Sequence, residues 1–223
     1  GMLSVAQAAF YGTGAYATAI LTTSYGWNFF ASVAAGLIAA ALLSLLIGIV
    51  LSRFRDDYLA LASIGFNVII FSIFLNWQEL TRGPLGIPGI PRPMLFGISL
   101  TDNFLFFLFA LVMLGLIYAA SRFIVRSSFG RALRAIRADE AALAVFGYRT
   151  VHFKLTIFVM GSAMAAVAGS LFAAYISFID PTSFSLNESI FILTIIILGG
   201  LASLRGAIVG AAALILIPEL LRF

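Results

Sequence analysis

Apolar residues run along this chain in long blocks, separated by short polar turns. The blocks fall at about 2–22, 29–52, 58–78, 103–121 and 151–178, followed by a divided pair at about 186–201 and 206–221. Each of the first five holds roughly the 20 residues that an α-helix needs to cross a hydrocarbon core of about 30 Å. A membrane β-barrel would alternate polar and apolar residues over segments of about ten, and no such alternation is present. The pattern predicts an all-α fold: a polytopic transmembrane helical bundle of about six or seven spans, with no soluble domain.

The blocks differ in side-chain size. The second carries Gly36, Ala40, Ser44 and Gly48 at intervals of four, and the fifth carries Gly161, Ala165, Gly169 and Ala173. Rows of small residues let backbones approach closely where lipid offers no hydrophobic drive for helices to pack. These two helices are expected at the centre. The fourth block, NFLFFLFALVMLGLIY, is bulky all round and is expected to face lipid. The last pair is broken at Gly199-Gly200, followed by LASLRG and a second run that ends at Pro218. It reads either as a re-entrant element lining a cavity or as two short helices joined by a tight turn. TRGPLGIPGIPRP, at 81–93, holds four of the six prolines and predicts a stiff, extended cover.

Composition sharpens this picture. Hydrophobic residues make up 62% and charged residues 10% of the 223, against globular averages of about 45–50% and about 25%. Charge is concentrated: Arg122–Lys154 carries seven of the thirteen basic residues and only two of the nine acids. Long apolar blocks flank this stretch, so it is a loop in water on the positive, cytoplasmic side. Arg53–Asp57 and Arg205 then lie inside, whereas Glu79–Asp102 and Asp180–Glu188 lie outside. Arg82 and Arg92 run against the rule, but their loop is long and counts less. The net charge of +4 reports orientation and not nucleic-acid affinity. There is no cysteine, which excludes thiolate metal sites and disulfides. The first block lacks a basic leader and an A-x-A site, so it does not read as a signal peptide.

The basic loop is patterned to fold. Ser128 is expected to cap a first short helix, FGRALRAIRA. An unbroken helix to Phe146 would set Glu140 amid the face of Phe129, Leu133 and Ile136, so a break near Ala138 is expected. Asp139 then caps a second helix, EAALAVF, with Glu140 in its first turn and Gly147 ending it in a left-handed conformation. Arg131, Arg134 and Arg137 alone would suit anionic lipid headgroups equally well. Two caps and a sharp break favour a shaped surface for a soluble partner.

Catalytic chemistry is not legible. The chain has no G-x-x-x-x-G-K-[ST] phosphate loop. His152, the single histidine, lies at a membrane boundary. No nucleophile triad, paired carboxylates or metal-ligand cluster can be assembled inside the spans, so neither cofactor nor metal is expected on this chain. All nine acids sit at or near block ends. A proton-coupled transporter would need a carboxylate within the bundle, so energy is expected to enter from outside the membrane. Polar groups inside the blocks are Gln7, Thr13, Tyr16, Asn67, Asn76 and Thr194. Gln7, Tyr16 and Asn67 are candidates to line a substrate path. The competing reading is interhelical hydrogen bonding, worth about 0.6 kcal/mol on average in membranes.

Four stretches carry a resemblance. They are GMLSVAQAAFYGTGAY at 1–16, RDDYLALASIGF at 55–66 with TRGPLGIPGIP at 81–91, FGRALRAIRADEAALAVFG at 129–147, and DPTSF at 180–184 with GGLASLRG at 199–206 and PELLR at 218–222. Taken in order, they resemble the permease subunits of ATP-binding-cassette importers for branched-chain amino acids. The resemblance implies a multi-pass subunit of the bacterial cytoplasmic (inner) membrane that moves leucine, isoleucine or valine inward. It implies no ATPase site of its own. Two ATPase subunits that use ATP and Mg, a second permease and an external substrate-binding protein would be its partners. The 122–154 loop resembles the family's coupling loop, and this carries ATPase coupling to Arg131, Arg134, Arg137, Asp139, Glu140 and Gly147. Ala6, Ala202, Arg205 and Leu85 depart from the usual pattern. Family members carry further helices at both ends, so 1–223 is expected to be a single permease domain lacking both. An importer for another small solute, an ion-coupled secondary transporter and a membrane enzyme are the rival readings.

Overall fold

The computed structural model describes residues 4–52, 56–95, 98–201 and 203–220. Arg53–Arg55 of the expected inner turn, and Ala202, lie outside them. The chain folds into ten helices among these residues: α1 Gln7–Ser24, α2 Phe29–Leu51, α3 Asp56–Asn76, α4 Gln78–Thr81, α5 Asn103–Arg126, α6 Ser128–Ala138, α7 Glu140–Val145, α8 Thr150–Ile176, α9 Leu186–Gly199 and α10 Leu204–Leu220. Four two-residue strands complete it: β1 Ile87–Pro88, β2 Met94–Leu95, β3 Ile98–Ser99 and β4 Phe178–Ile179. Three unbroken helices, α2, α5 and α8, are long and apolar enough to cross a membrane. Two further candidates are bent: α3 with its continuation through α4, by 72°, and α9 with α10, by 118°. The six or seven spans expected from hydropathy thus become three straight crossings, two bent pairs and a short central helix, α1.

Small residues decide the centre. α1 packs most extensively on α8 and on α2, and α2 packs on α8. Gly36, Ala40, Ser44 and Gly48 are all buried on α2, as the pattern predicts. On α8 the buried row is Ser162, Ala166, Gly169, Ser170 and Ala173, while Gly161 and Ala165 are half-buried. That row is shifted from the expected one because α1 supplies the opposing surface. A methyl on Gly14 would strike the Ala166 backbone, and one on Gly169 would strike the Tyr11 carbonyl. Thr18 donates to Ser170 Oγ at 2.8 Å across the same contact. α5 buries only Phe106, in keeping with a lipid-facing helix.

The proline-rich segment closes the outer end. β1 pairs antiparallel with β4, and the Gly89 and Ile90 amides donate to the Ser177 carbonyl at 3.0 and 3.2 Å. Ile87, Ile90 and Pro93 are buried beneath. Arg92, which ran against the charge rule, is used structurally. It donates to the Thr101 carbonyl and to Asn103 Oδ1 at 2.5 and 2.9 Å, and lies over the Phe106 and Tyr175 rings at 5.6 and 5.9 Å.

Beyond β4 the chain turns inward. Asp180 Oδ1 accepts hydrogen bonds from the Ser183 amide, Ser183 Oγ and Thr182 Oγ1 at 3.1, 3.0 and 2.8 Å, capping a 3-10 turn at Pro181–Phe184. Phe184 is buried among Tyr11, Tyr16, Phe74 and Phe172, with ring centroids 5.6–6.3 Å away. Ser189 donates to Asn67 Oδ1 at 3.3 Å. Asn67 lies near the middle of α3, about 16 Å from its start and about 14 Å from its end. So α9 begins inside the bundle. The expectation that Asp180–Glu188 stays outside is corrected: a capped turn satisfies the backbone and lets the chain descend. Arg205 lies beside Tyr118 together with Arg122, toward the end of α5 from which the basic loop departs. The divided pair is two helices, α9 and α10, set at 118° to each other, with Gly199 and Gly206 meeting backbone to backbone.

Replacing Gly169 by Val forces α1 off α8. We expect a loss of about 1–3 kcal/mol or more, seen as a lowered thermal unfolding midpoint in detergent. Gly161→Ala meets nothing within 4 Å and leaves the midpoint unchanged.

Candidate functional site: the inner loop and the polar seam

α8 is 27 residues long, about 40 Å, so it overshoots a core of about 30 Å and carries its first turns into the inner aqueous layer. The loop builds on that projection. Phe129 stacks on Phe153 of α8 with centroids 5.4 Å apart, and Ile136 is buried. The α6 cap is Ser127 and not Ser128: Ser127 Oγ accepts from the Gly130 amide at 3.2 Å. Ser128 is the first helical residue, because α5 runs up to Arg126 and Ser127 serves both helix ends.

Of the three predicted arginines, two brace the loop. Arg131 donates to the Arg126 carbonyl at 3.4 Å and to Ser128 Oγ at 2.9 Å, while Arg134 donates to the Val125 carbonyl at 2.8 Å. Cations there satisfy the open carbonyls of α5 and its negative dipole end. Arg137 is exposed.

The break at Ala138 is present, and Asp139 Oδ1 accepts from the Ala142 amide at 3.0 Å to start α7. Gly147 has φ +84°, and its amide donates to the Ala144 carbonyl at 3.0 Å as the helix closes. Glu140 pairs with Lys154 of α8 at 2.5 Å, tying α7 to the long helix. The outcome is an exposed apolar knob: Val145 is 87% exposed, Phe146 79%, and Tyr148 is exposed beside them. Sequence reasoning singled out Arg131, Arg134, Arg137, Asp139, Glu140 and Gly147 and did not name Val145 and Phe146, both large, apolar and exposed. The available signal was a six-residue helix ending on two large apolar residues, too short to bury them.

Burial pushes the Glu140 carboxyl up, but hydrogen bonds from Lys154 and Thr150 and the Lys154 charge outweigh it and hold it below the usual 4.5.

The three path candidates do not share one cavity. Gln7 lines an inner cavity of about 170 Å³ with Ser4, Ser52, Lys154 and Phe158. Asn67, 0% exposed, accepts from the Ala9 amide at 3.1 Å and from Ser189, while its Nδ2 has no partner among the described residues. Tyr16, 3% exposed, stacks on Phe74 at 4.5 Å, and its hydroxyl is likewise unpartnered. Asn67 and Tyr16 thus share the α1–α3 seam. Among the described residues, no group of three or more His, Cys, Asp or Glu could hold a metal ion.

Comparison with known proteins gives this geometry its context. Residues 1–223 match the family described as branched-chain amino acid transport system / permease component. The chain belongs to that permease family. It is 36% identical over its whole length to the high-affinity branched-chain amino acid transport system permease protein LivM of Salmonella typhimurium, and 37% identical to LivM of Escherichia coli. It spans 58% of the length of each. LivH of Escherichia coli is 29% identical over 96% of the chain and 74% of its own length. The autoinducer 2 import system permease protein LsrC of Yersinia pseudotuberculosis is 29% identical over 83% of the chain and 55% of its own length. No solved structure matches. Family membership and the apolar helices make this permease a multi-pass membrane protein.

Because the folded Glu140 carboxyl lies below its unfolded value, its contribution to loop stability is complete above about pH 4.5 and is lost as pH falls through the folded value. Hydrogen exchange of residues 139–149 should quicken across that acid window in the parent protein. In Glu140→Gln the acid step should be missing.

Proposed function

We propose that this chain is the membrane-spanning part of an ATP-driven importer that moves leucine, isoleucine or valine into a bacterial cell across the inner membrane. The observation that carries the reading is the α7 knob on a family permease. Large apolar side chains held out into water by a braced, twice-capped loop fit the groove of a soluble partner, and burying them supplies the affinity. That partner is a pair of ATPase subunits, which bind and hydrolyse ATP with Mg. A second permease and an external binding protein complete the assembly, and the chain itself binds no cofactor. Arg137, Asp139, Glu140 and Gly147 shape the contact, and Arg131 and Arg134 hold it rigid. Substrate selection follows the relatives' printed cargo, branched-chain amino acids.

Asn67 and Tyr16 act on the path through groups that stay unspent in the resting seam, and Gln7 faces the inner cavity. One sequence argument falls away. The preference for outside energy over proton coupling rested on acids confined to block ends, yet Glu188 lies one residue from Ser189 inside the bundle. The importer reading therefore rests on the family and the knob.

Phe146→Asp and Val145→Asp should each weaken binding of the ATPase subunits by about thirtyfold or more, the size of a hot-spot truncation of about 2 kcal/mol. The check is co-purification and uptake in membrane vesicles, with an unchanged thermal midpoint for the permease. Normal co-purification in both variants would overturn the docking role.

A further inference from the structure

Glu188 occupies an unusual place. It sits in the first turn of α9, and its neighbour Ser189 is hydrogen-bonded both to the Ala8 amide, at 2.9 Å, and to Asn67 at mid-depth of α3. Glu188 is half-buried. No cation pairs with it among the described residues, where the recorded ion pair is Lys154–Glu140. A carboxylate at this depth is costly, and such groups face a bundle interior or an aqueous route and take a partner there. The helix dipole at the start of α9 does not replace a counter-ion.

Three chemistries meet at the Phe184–Ser189 junction. Glu188 offers a negative charge. Asn67 Nδ2, fully buried and without a partner among the described residues, offers an unspent donor. Tyr11, Tyr16, Phe74, Phe172 and Phe184 form an aromatic box beside them. A buried donor without an acceptor costs about 1–3 kcal/mol, a cost removed when an acceptor arrives. A small zwitterion with an apolar side chain presents the complement of all three.

We propose that Glu188 is the membrane-embedded counter-charge for the ammonium group of the transported amino acid, with Asn67 Nδ2 as donor to its carboxylate. The side chain of the solute passes along the aromatic box, from which Phe184 moves as the junction opens. This assignment rests on the amino-acid importer reading above and names a residue pair within it.

The test uses the whole importer, both permeases, ATPases and binding protein, reconstituted in vesicles with labelled leucine. Glu188→Gln should lower uptake about tenfold or more, while leucine-loaded binding protein still stimulates ATP hydrolysis. Glu188→Asp should recover part of the uptake. An assembled Glu188→Gln importer working at the parent rate overturns the proposal and leaves the importer reading intact. Failure of both variants to assemble also overturns it, since Glu188 would then be a structural residue. Absence of leucine uptake by the parent importer overturns both readings.

Discussion

The start of α1 is a buried helix end, and its open amides govern much of the bundle. In an apolar medium each unsatisfied N–H costs several kcal/mol, so side chains must come to it. The Val5 amide donates to Ser63 at 2.9 Å, Ala8 to Ser189 at 2.9 Å and Ala9 to Asn67 at 3.1 Å. These acceptors belong to α3 and α9, remote in sequence. One local demand therefore places two distant helices. It also requires α9 to begin at mid-depth, which in turn requires the chain to descend from β4. The Asp180-capped turn, the burial of Phe184 and the inward position of Glu188 all follow from that.

The inner loop solves a different problem. A docking element gains affinity if it is rigid before it binds, because ordering it later costs conformational entropy. Here the polar groups supply rigidity, and the large apolar ones are left exposed. Arg131 and Arg134 close the end of α5, Asp139 starts α7, and Glu140 fastens it to Lys154. With those groups engaged internally, Val145 and Phe146 are what the loop presents outward. Charge on this surface positions the knob and does not itself form it.

Periodicity carried the parts of this fold that depend on local sequence. The α2 ridge of small residues, the exposed apolar surface of α5, the break at Ala138 and the Asp139 and Gly147 helix ends were all legible, since each is set by residues within a turn or two. The Ser127 cap was off by one residue because two adjacent serines offer the same chemistry, and only the exact end of α5 chooses between them. The centrality of α1 was missed although its Ala and Gly content was visible, because its partner α8 lies more than a hundred residues away. The depth of Glu188 was illegible for the same reason. A hydropathy block treats Asp180–Glu188 as a surface loop, and only the long-range bonds from Ser189 to Ala8 and Asn67 draw it inward.

Those long-range bonds also join the two sites. Lys154 meets Glu140 at the inner end of α8, and farther along the same helix Gly169 meets the α1 backbone without an intervening side chain. α1 in turn holds α9 through the Ala8 amide, one residue from Glu188. Side-chain contacts can absorb a shift by changing rotamer, whereas backbone touching backbone cannot yield at close-packed density. Displacement of α7 by a partner would therefore move α8 and α1 as one body, and the place where that body must part from its neighbours is the short hydrogen-bonded junction at Ser189. That junction holds the Asn67 Nδ2 donor and the Glu188 carboxylate, neither of which has a partner among the described residues, so a motion that parts it frees both groups together.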